Sequence, residues 1–142
     1  MGRKTWDSIP KDKRPLKNRL NVVLTSNVDQ LKASLTEDNV NMDDVRIVSD
    51  LDQELSALSS DQGINEIFMI GGSSLYNMCM GPDAKYKDHC KLIVATRINK
   101  KFDCDVFVPK LEDQEVNKDF PCIHVSETYS QKDITFDYIF FG

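Results

Sequence analysis

Two stretches of this 142-residue chain combine residue types suited to holding a phosphate. In the first, the apolar run Ile67-Phe68-Met69-Ile70 leads into Gly71-Gly72 and then Ser73-Ser74-Leu75-Tyr76. Glycines let a backbone approach a ligand closely, and the unpaired amides of a helix start donate to phosphate oxygens, so one reading is a pyrophosphate cradle. The other is a plain glycine turn followed by a serine-capped helix. The later glycines of the G-x-G-x-x-G dinucleotide fingerprint are missing. In the second stretch, Arg3-Lys4-Thr5 opens a short helix ended by Pro10, which sets two cations and a hydroxyl at a helix start. Arg14 and Arg19 offer planar guanidinium forks that match a carboxylate.

Two further positions belong with these. Thr25-Ser26-Asn27 follows the apolar run Asn21-Val22-Val23-Leu24, at the carboxyl end of a strand, where open α/β sheets bind ligands. Thr96 is a polar residue within an apolar strand, so its hydroxyl needs a partner if buried; a backbone carbonyl or a site role would both serve. Other chemistries find no support. There is no G-x-S-x-G, no H-E-x-x-H and no cysteine with an evident histidine base. Cys79, Cys90, Cys104 and Cys122 form no C-x-x-C pair, and His89 and His124 show no zinc spacing, so reduced structural thiols and no metal site are expected. No carboxylate is read as standing where burial would raise its pKa into a catalytic range.

The elements that must position these residues alternate. Residues 21–25, 46–48 and 91–98 read as strands, and 66–70, apolar almost throughout, as a central strand covered on both faces. Asn27 to Asp44, polar and acidic, reads as a surface connection. Asp50 caps a helix bearing Leu51, Leu55 and Leu58. Ser73-Ser74 opens another that Gly81-Pro82 terminates, Phe102 to Pro109 is irregular, and 122–129 with 134–141 form an antiparallel hairpin around Ser130-Gln131-Lys132-Asp133. The fold class is α/β: a mainly parallel central sheet flanked by helices, with a C-terminal antiparallel hairpin, in a single domain spanning residues 1–142.

Composition narrows the function classes. With 40% hydrophobic and 29% charged residues, the chain has the balance of one globular domain. It has neither the roughly 18 consecutive apolar residues of a membrane helix nor a signal-peptide core, so a cytoplasmic protein without a membrane partner is expected. The net charge of −5 hides an asymmetry: residues 1–19 carry seven basic side chains against Asp7 and Asp12, whereas 20–66 carry two against ten acidic ones. A basic patch on an acidic chain suits a local anion site rather than nucleic acid.

Taken in order, Met1-Gly-Arg-Lys-Thr-Trp6, Ser8-Ile9-Pro10, Arg14-Pro15-Leu16-Lys17-Asn18-Arg19, Asn21-Val-Val-Leu-Thr25, Ile70-Gly71-Gly72-Ser73-Ser74-Leu75-Tyr76, Thr96-Arg97-Ile98 and Asp105-Val106-Phe107-Val108-Pro109 resemble dihydrofolate reductase of the eukaryotic type, along essentially the whole chain. The resemblance implies NADPH as cofactor, dihydrofolate as substrate, and a monomer. By position, Arg3, Lys4 and Thr5 resemble cofactor phosphate contacts, and Thr25, Ser26 and Asn27 the segment around the adenosine 2′-phosphate. Gly71 to Tyr76 resemble the pyrophosphate and nicotinamide-side loop, in which the family's Gly-Gly bond is cis. On the substrate side, Arg19 resembles the arginine that binds the α-carboxylate of the glutamate tail. Ile9 and Leu16 resemble walls of the aminobenzoyl pocket, and the carbonyl of Ile70 a pterin contact; Arg14 is the other candidate carboxylate grip.

Departures from the family pattern also bear on function. Where vertebrate enzymes carry arginines near the 2′-phosphate, this chain has Ser26 and, close by, Ser49, so selectivity would rest on Arg3 and on hydroxyls. Lys13 replaces a usual asparagine and Val106 a common threonine. The family's first strand, its mobile loop and the carboxylate of its pterin pocket are expected before Met1. Thr96 matches that acid's threonine partner, so no catalytic residue is assigned and a chain inactive by itself is expected, with a non-catalytic nucleotide-binding fragment as the alternative.

Overall fold

A computed structural model describes every residue except Pro82, Glu112 and Asp113, with the backbone alone for 114–116. The chain divides into two compact units, Met1–Leu75 and Tyr76–Gly142, and each is described by itself.

The first unit is an α/β assembly. Helix α1 spans Arg3–Ser8, strand β1 Asn21–Leu24, helix α2 Val28–Glu37, strand β2 Val45–Val48 and helix α3 Leu51–Ser60. β1 and β2 pair in parallel, from Asn21 opposite Val45 to Leu24 opposite Val48. Gly2 adds a further parallel bridge to Leu24. Alternation along β1 turns Asn21 and Val23 inward. Val23 packs there with Trp6, Leu31, Leu35 and Val45 in one buried cluster.

The stretch from Asn27 to Asp44 is not only a surface connection. It contains α2, because Leu31 and Leu35, one turn apart, are 1% and 2% exposed and give an otherwise polar helix one apolar stripe to bury. α3 begins as the sequence indicates, with the carboxylate of Asp50 accepting from the amide of Gln53 at 3.0 Å. The expected strand at 66–70 is absent. Ile67, Phe68 and Ile70 are exposed, Phe68 at 75%, because no neighbouring strand pairs with this segment among the described residues.

Helix α4, Ser73–Met80, carries the chain across the boundary between the units. It stops at Gly81, where a Cβ would stand 2.9 Å from the Asn77 carbonyl oxygen; Pro82, the other half of the expected stop, lies outside the described residues. The second unit holds strand β3 (Ile93–Ile98), helix α5 (Gln114–Asp119) and strands β4 (Cys122–Val125), β5 (Tyr129–Gln131) and β6 (Ile134–Phe141). β6 is the centre of an antiparallel sheet, flanked by β3 on one side and by β4 and β5 on the other. The strand read at 122–129 is thus two strands with a break at 126–128, and β5 and β6 form the hairpin around the tight turn at Lys132-Asp133. Met80, Ile93, Phe120, Ile139 and Phe141 form the core beneath. The α/β class therefore holds, but among the described residues the strands form two separate sheets, a parallel one of two strands in the first unit and an antiparallel one of four in the second.

Candidate functional site

Three separate segments of the first unit meet at the carboxyl end of β1. The Gly2 amide donates to the Gly71 carbonyl at 2.7 Å, and the Leu24 amide donates to the Met1 carbonyl at 2.9 Å. The Thr25 amide reaches Val48 O at 2.9 Å. Arg3-Lys4-Thr5, Thr25-Ser26-Asn27 and Gly71-Gly72-Ser73-Ser74-Leu75 are thereby brought side by side, although up to about 70 positions separate them in the chain.

The backbone path at this junction depends on Gly71. Gly71 adopts φ 98°, in the left-handed region that L side chains avoid, and the Gly71–Gly72 bond is cis, as the resemblance implies. A Cβ on Gly2 would stand 3.7 Å from Gly72 N, and one on Gly72 would stand 3.6 Å from the Thr5 hydroxyl, both ordinary contact distances, so it is Gly71 whose backbone demands glycine. α4 starts directly after; the Leu75 amide donates to Gly72 O at 3.1 Å, and the amides of Ser73 and Ser74 open the first turn, where a helix offers its N–H groups outward. The donor set fits a dinucleotide with an extra phosphate: backbone N–H groups at Gly72-Ser73-Ser74, hydroxyls of Thr5, Thr25 and Ser26, and the cations Arg3 and Lys4. Lys4 and Ser26 are exposed, and Arg3 and Thr25 are partly so. Asn27 caps α2 through its backbone only, and its amide donates to Thr25 Oγ1 at 3.2 Å.

The basic residues differ in their engagement. Arg3 Nε donates to Asp7 Oδ2 at 2.7 Å. Arg14 Nη1 donates to the Trp6 carbonyl at 2.8 Å, and its guanidinium lies 5.4 Å from the Trp6 ring centroid. With its side chain 9% exposed, Arg14 is committed within the protein. Arg19 is exposed, held by Nε donating to Lys17 O at 3.0 Å. Leu16 and Ile9 are half-buried, and Ile70 is exposed, next to Gly71.

Tyr76 and Thr96 belong to the second unit. Tyr76 packs on that unit's core, and burial pushes its hydroxyl pKa up. Thr96 is exposed on β3, opposite Tyr138 of β6, beside a cleft of about 370 Å³ that it lines with Ile98, Ile134 and Phe136. Its hydroxyl is not a buried group requiring a partner. Burial also raises the thiol pKa of Cys79 and of Cys90, whereas Cys104 and Cys122 are exposed.

Two residues escaped the sequence reading. Asn21, 2% exposed, is the hydrogen-bonding hub of the turn that carries Leu16 and Arg19. Its position at an inward site of a strand was the available signal. Asp137, 4% exposed, is a carboxylate that β6 turns inward, where Arg97 Nη2 offsets its charge at 2.7 Å.

A sequence model for the family described as "Dihydrofolate reductase" matches residues 1–141. A dihydrofolate reductase of Heliothis virescens is 38% identical over 115 residues, covering 81% of this chain and 56% of that protein. One of Pneumocystis carinii is 44% identical over 124 residues, covering 81% of this chain and 52% of the relative. One of Schistosoma mansoni is 30% identical over 142 residues, covering 97% and 68%. The chain spans about half the length of the first two. No helix among the described residues is long and apolar enough to cross a membrane. The match along residues 1–141, together with the glycine junction and the phosphate-type donors gathered around it, places this chain in the dihydrofolate reductase family.

Proposed function

We propose that the protein takes part in the NADPH-dependent reduction of 7,8-dihydrofolate to tetrahydrofolate, and that the first unit holds the cofactor. The observation that carries this is the Gly2–Gly71 hydrogen bond, which joins the basic start of α1 to the glycine junction before α4. When bound, NADPH supplies a hydride. The chain's own residues bind and orient: the Gly72-Ser73-Ser74 amides and the Thr5 hydroxyl would hold the pyrophosphate, and Arg3 with Thr25, Ser26 and Asn27 the 2′-phosphate. Lys4 and Leu75 complete the cofactor side within this unit; Tyr76, in the second unit, is a cofactor candidate by the family resemblance alone. Arg19 would grip the glutamate tail of the substrate, with Ile9, Leu16 and the Ile70 carbonyl along the ring system; Thr96, in the second unit, is a pterin-side candidate by the family resemblance alone. We further read residues 1–142 as one functional domain, acting as a cytoplasmic monomer.

A second reading, nucleotide binding without turnover, is favoured by a specific observation. Asp137 is the one buried carboxylate among the described residues, and it is already paired with Arg97. No proton donor to the pterin is therefore assigned. Equilibrium dialysis with NADPH and with dihydrofolate, followed by an absorbance assay of NADPH oxidation, tests both readings. Binding of both ligands supports the site assignments, and turnover decides between enzyme and binder. Failure to bind either ligand would overturn the two together.

A further inference from the structure

The turn that carries Arg19 is held by one side chain of the neighbouring strand. Asn21 opens β1 on its inward face. Its Oδ1 accepts from the Leu16 amide at 2.9 Å, and its Nδ2 donates to Leu16 O at 2.9 Å, to Arg19 O at 2.9 Å and to Asp44 O at 3.4 Å. One carboxamide thus closes both ends of the Leu16–Arg19 turn and ties it to the segment before β2. Within the turn, Asn18 sits at φ 60°, and Arg19 folds its Nε back onto Lys17 O.

The chemistry requires an amide here. A carboxylate would set an acceptor against the carbonyls of Leu16 and Arg19, and an apolar residue would leave an amide and two carbonyls unpaired at a buried position. We propose that Asn21 is a positioning residue: it fixes the Arg19 backbone so that the guanidinium meets an anionic ligand tail, and it thereby sets the preference for substrates bearing a terminal carboxylate. This rests on the assignment of Arg19 to the substrate tail made above.

The test measures dissociation constants of the full chain for folate, for pteroate, which lacks the glutamate, and for NADPH. The wild type is expected to bind folate at least about tenfold more tightly than pteroate, the scale of a charge-assisted grip. Arg19→Ala should bring the two affinities together. Asn21→Asp, isosteric but with the wrong acceptor, and Asn21→Ser should do the same while NADPH affinity stays within about twofold of wild type, roughly 0.4 kcal/mol. If the Asn21 variants bind NADPH and keep the folate preference, the positioning role is refuted. If they lose NADPH and folate alike, Asn21 is general scaffolding and the proposal again fails. If the wild type shows no folate preference, the fault lies in the assignment of Arg19, which separates that failure from one of Asn21.

Discussion

Replacing Arg14 by methionine separates two roles that the residue type alone leaves equivalent. Its guanidinium donates to the Trp6 carbonyl at 2.8 Å and stacks on the Trp6 ring at 5.4 Å, with 9% of the side chain exposed. A hydrogen bond from a charged donor is worth about 1.5–3 kcal/mol, and a desolvated cation–π contact adds about 0.5–2 kcal/mol. The Asp7 contact, at 3.5 Å and half exposed on the carboxylate side, is too long to count for much. Methionine keeps most of the stem packing, so the net loss should be about 2–4 kcal/mol. For a chain of this length that lowers Tm by roughly 6–12 °C. Thermal melts followed by circular dichroism and by Trp6 emission read the shift, and calorimetry on the folded variant reads the ligands. A clear drop in Tm with unchanged folate and NADPH affinities is expected. A variant that melts with the wild type but loses folate would refute the bracing role and restore Arg14 as a substrate grip.

Three other outcomes follow from the same geometry. Arg3→Ala should weaken NADPH more than NADH, measured by competition binding, since its guanidinium stands at the position assigned to the 2′-phosphate; equal losses would remove it from that role. Asp7→Asn, by releasing Arg3 from its 2.7 Å partner and removing a nearby negative charge, should tighten NADPH about two- to fivefold, in line with about 0.4–1 kcal/mol for an exposed pair; weaker binding would mean that Asp7 orients Arg3 rather than competing for it. Alkylation followed by mass spectrometry should modify Cys104 and Cys122 before Cys79 and Cys90, because a raised thiol pKa leaves less thiolate at any given pH below it. Cys79 reacting first would contradict the burial that raises it.

Local patterns carried much of this site into the sequence. The strand read at 21–25, found as Asn21–Leu24, the Asp50 cap and the glycine junction before α4 each depend on neighbours a few positions apart, and all are found in the structure. What required three dimensions was pairing between distant segments. Gly2 binds Gly71, and Asn21 binds Leu16, Arg19 and Asp44; neither follows from periodicity. Arg14 and Arg19 look alike in sequence, and only the nearby Trp6 ring and carbonyl distinguish the committed guanidinium from the exposed one. The run 66–70 is apolar without being a strand, because apolarity reports a preference for cover, whereas a strand also needs a partner for its backbone. The burial of Asp137 is not evident in the sequence, because its counter-charge comes from Arg97, forty positions away.

Titration of Trp6 fluorescence with NADPH and with NADH tests the nucleotide site most directly. The chain's single tryptophan lies in α1, three residues beyond Arg3, and is fully buried. A saturable change with both nucleotides and a lower dissociation constant for NADPH are expected. No saturable change with either, or equal constants for the two, would contradict that site assignment.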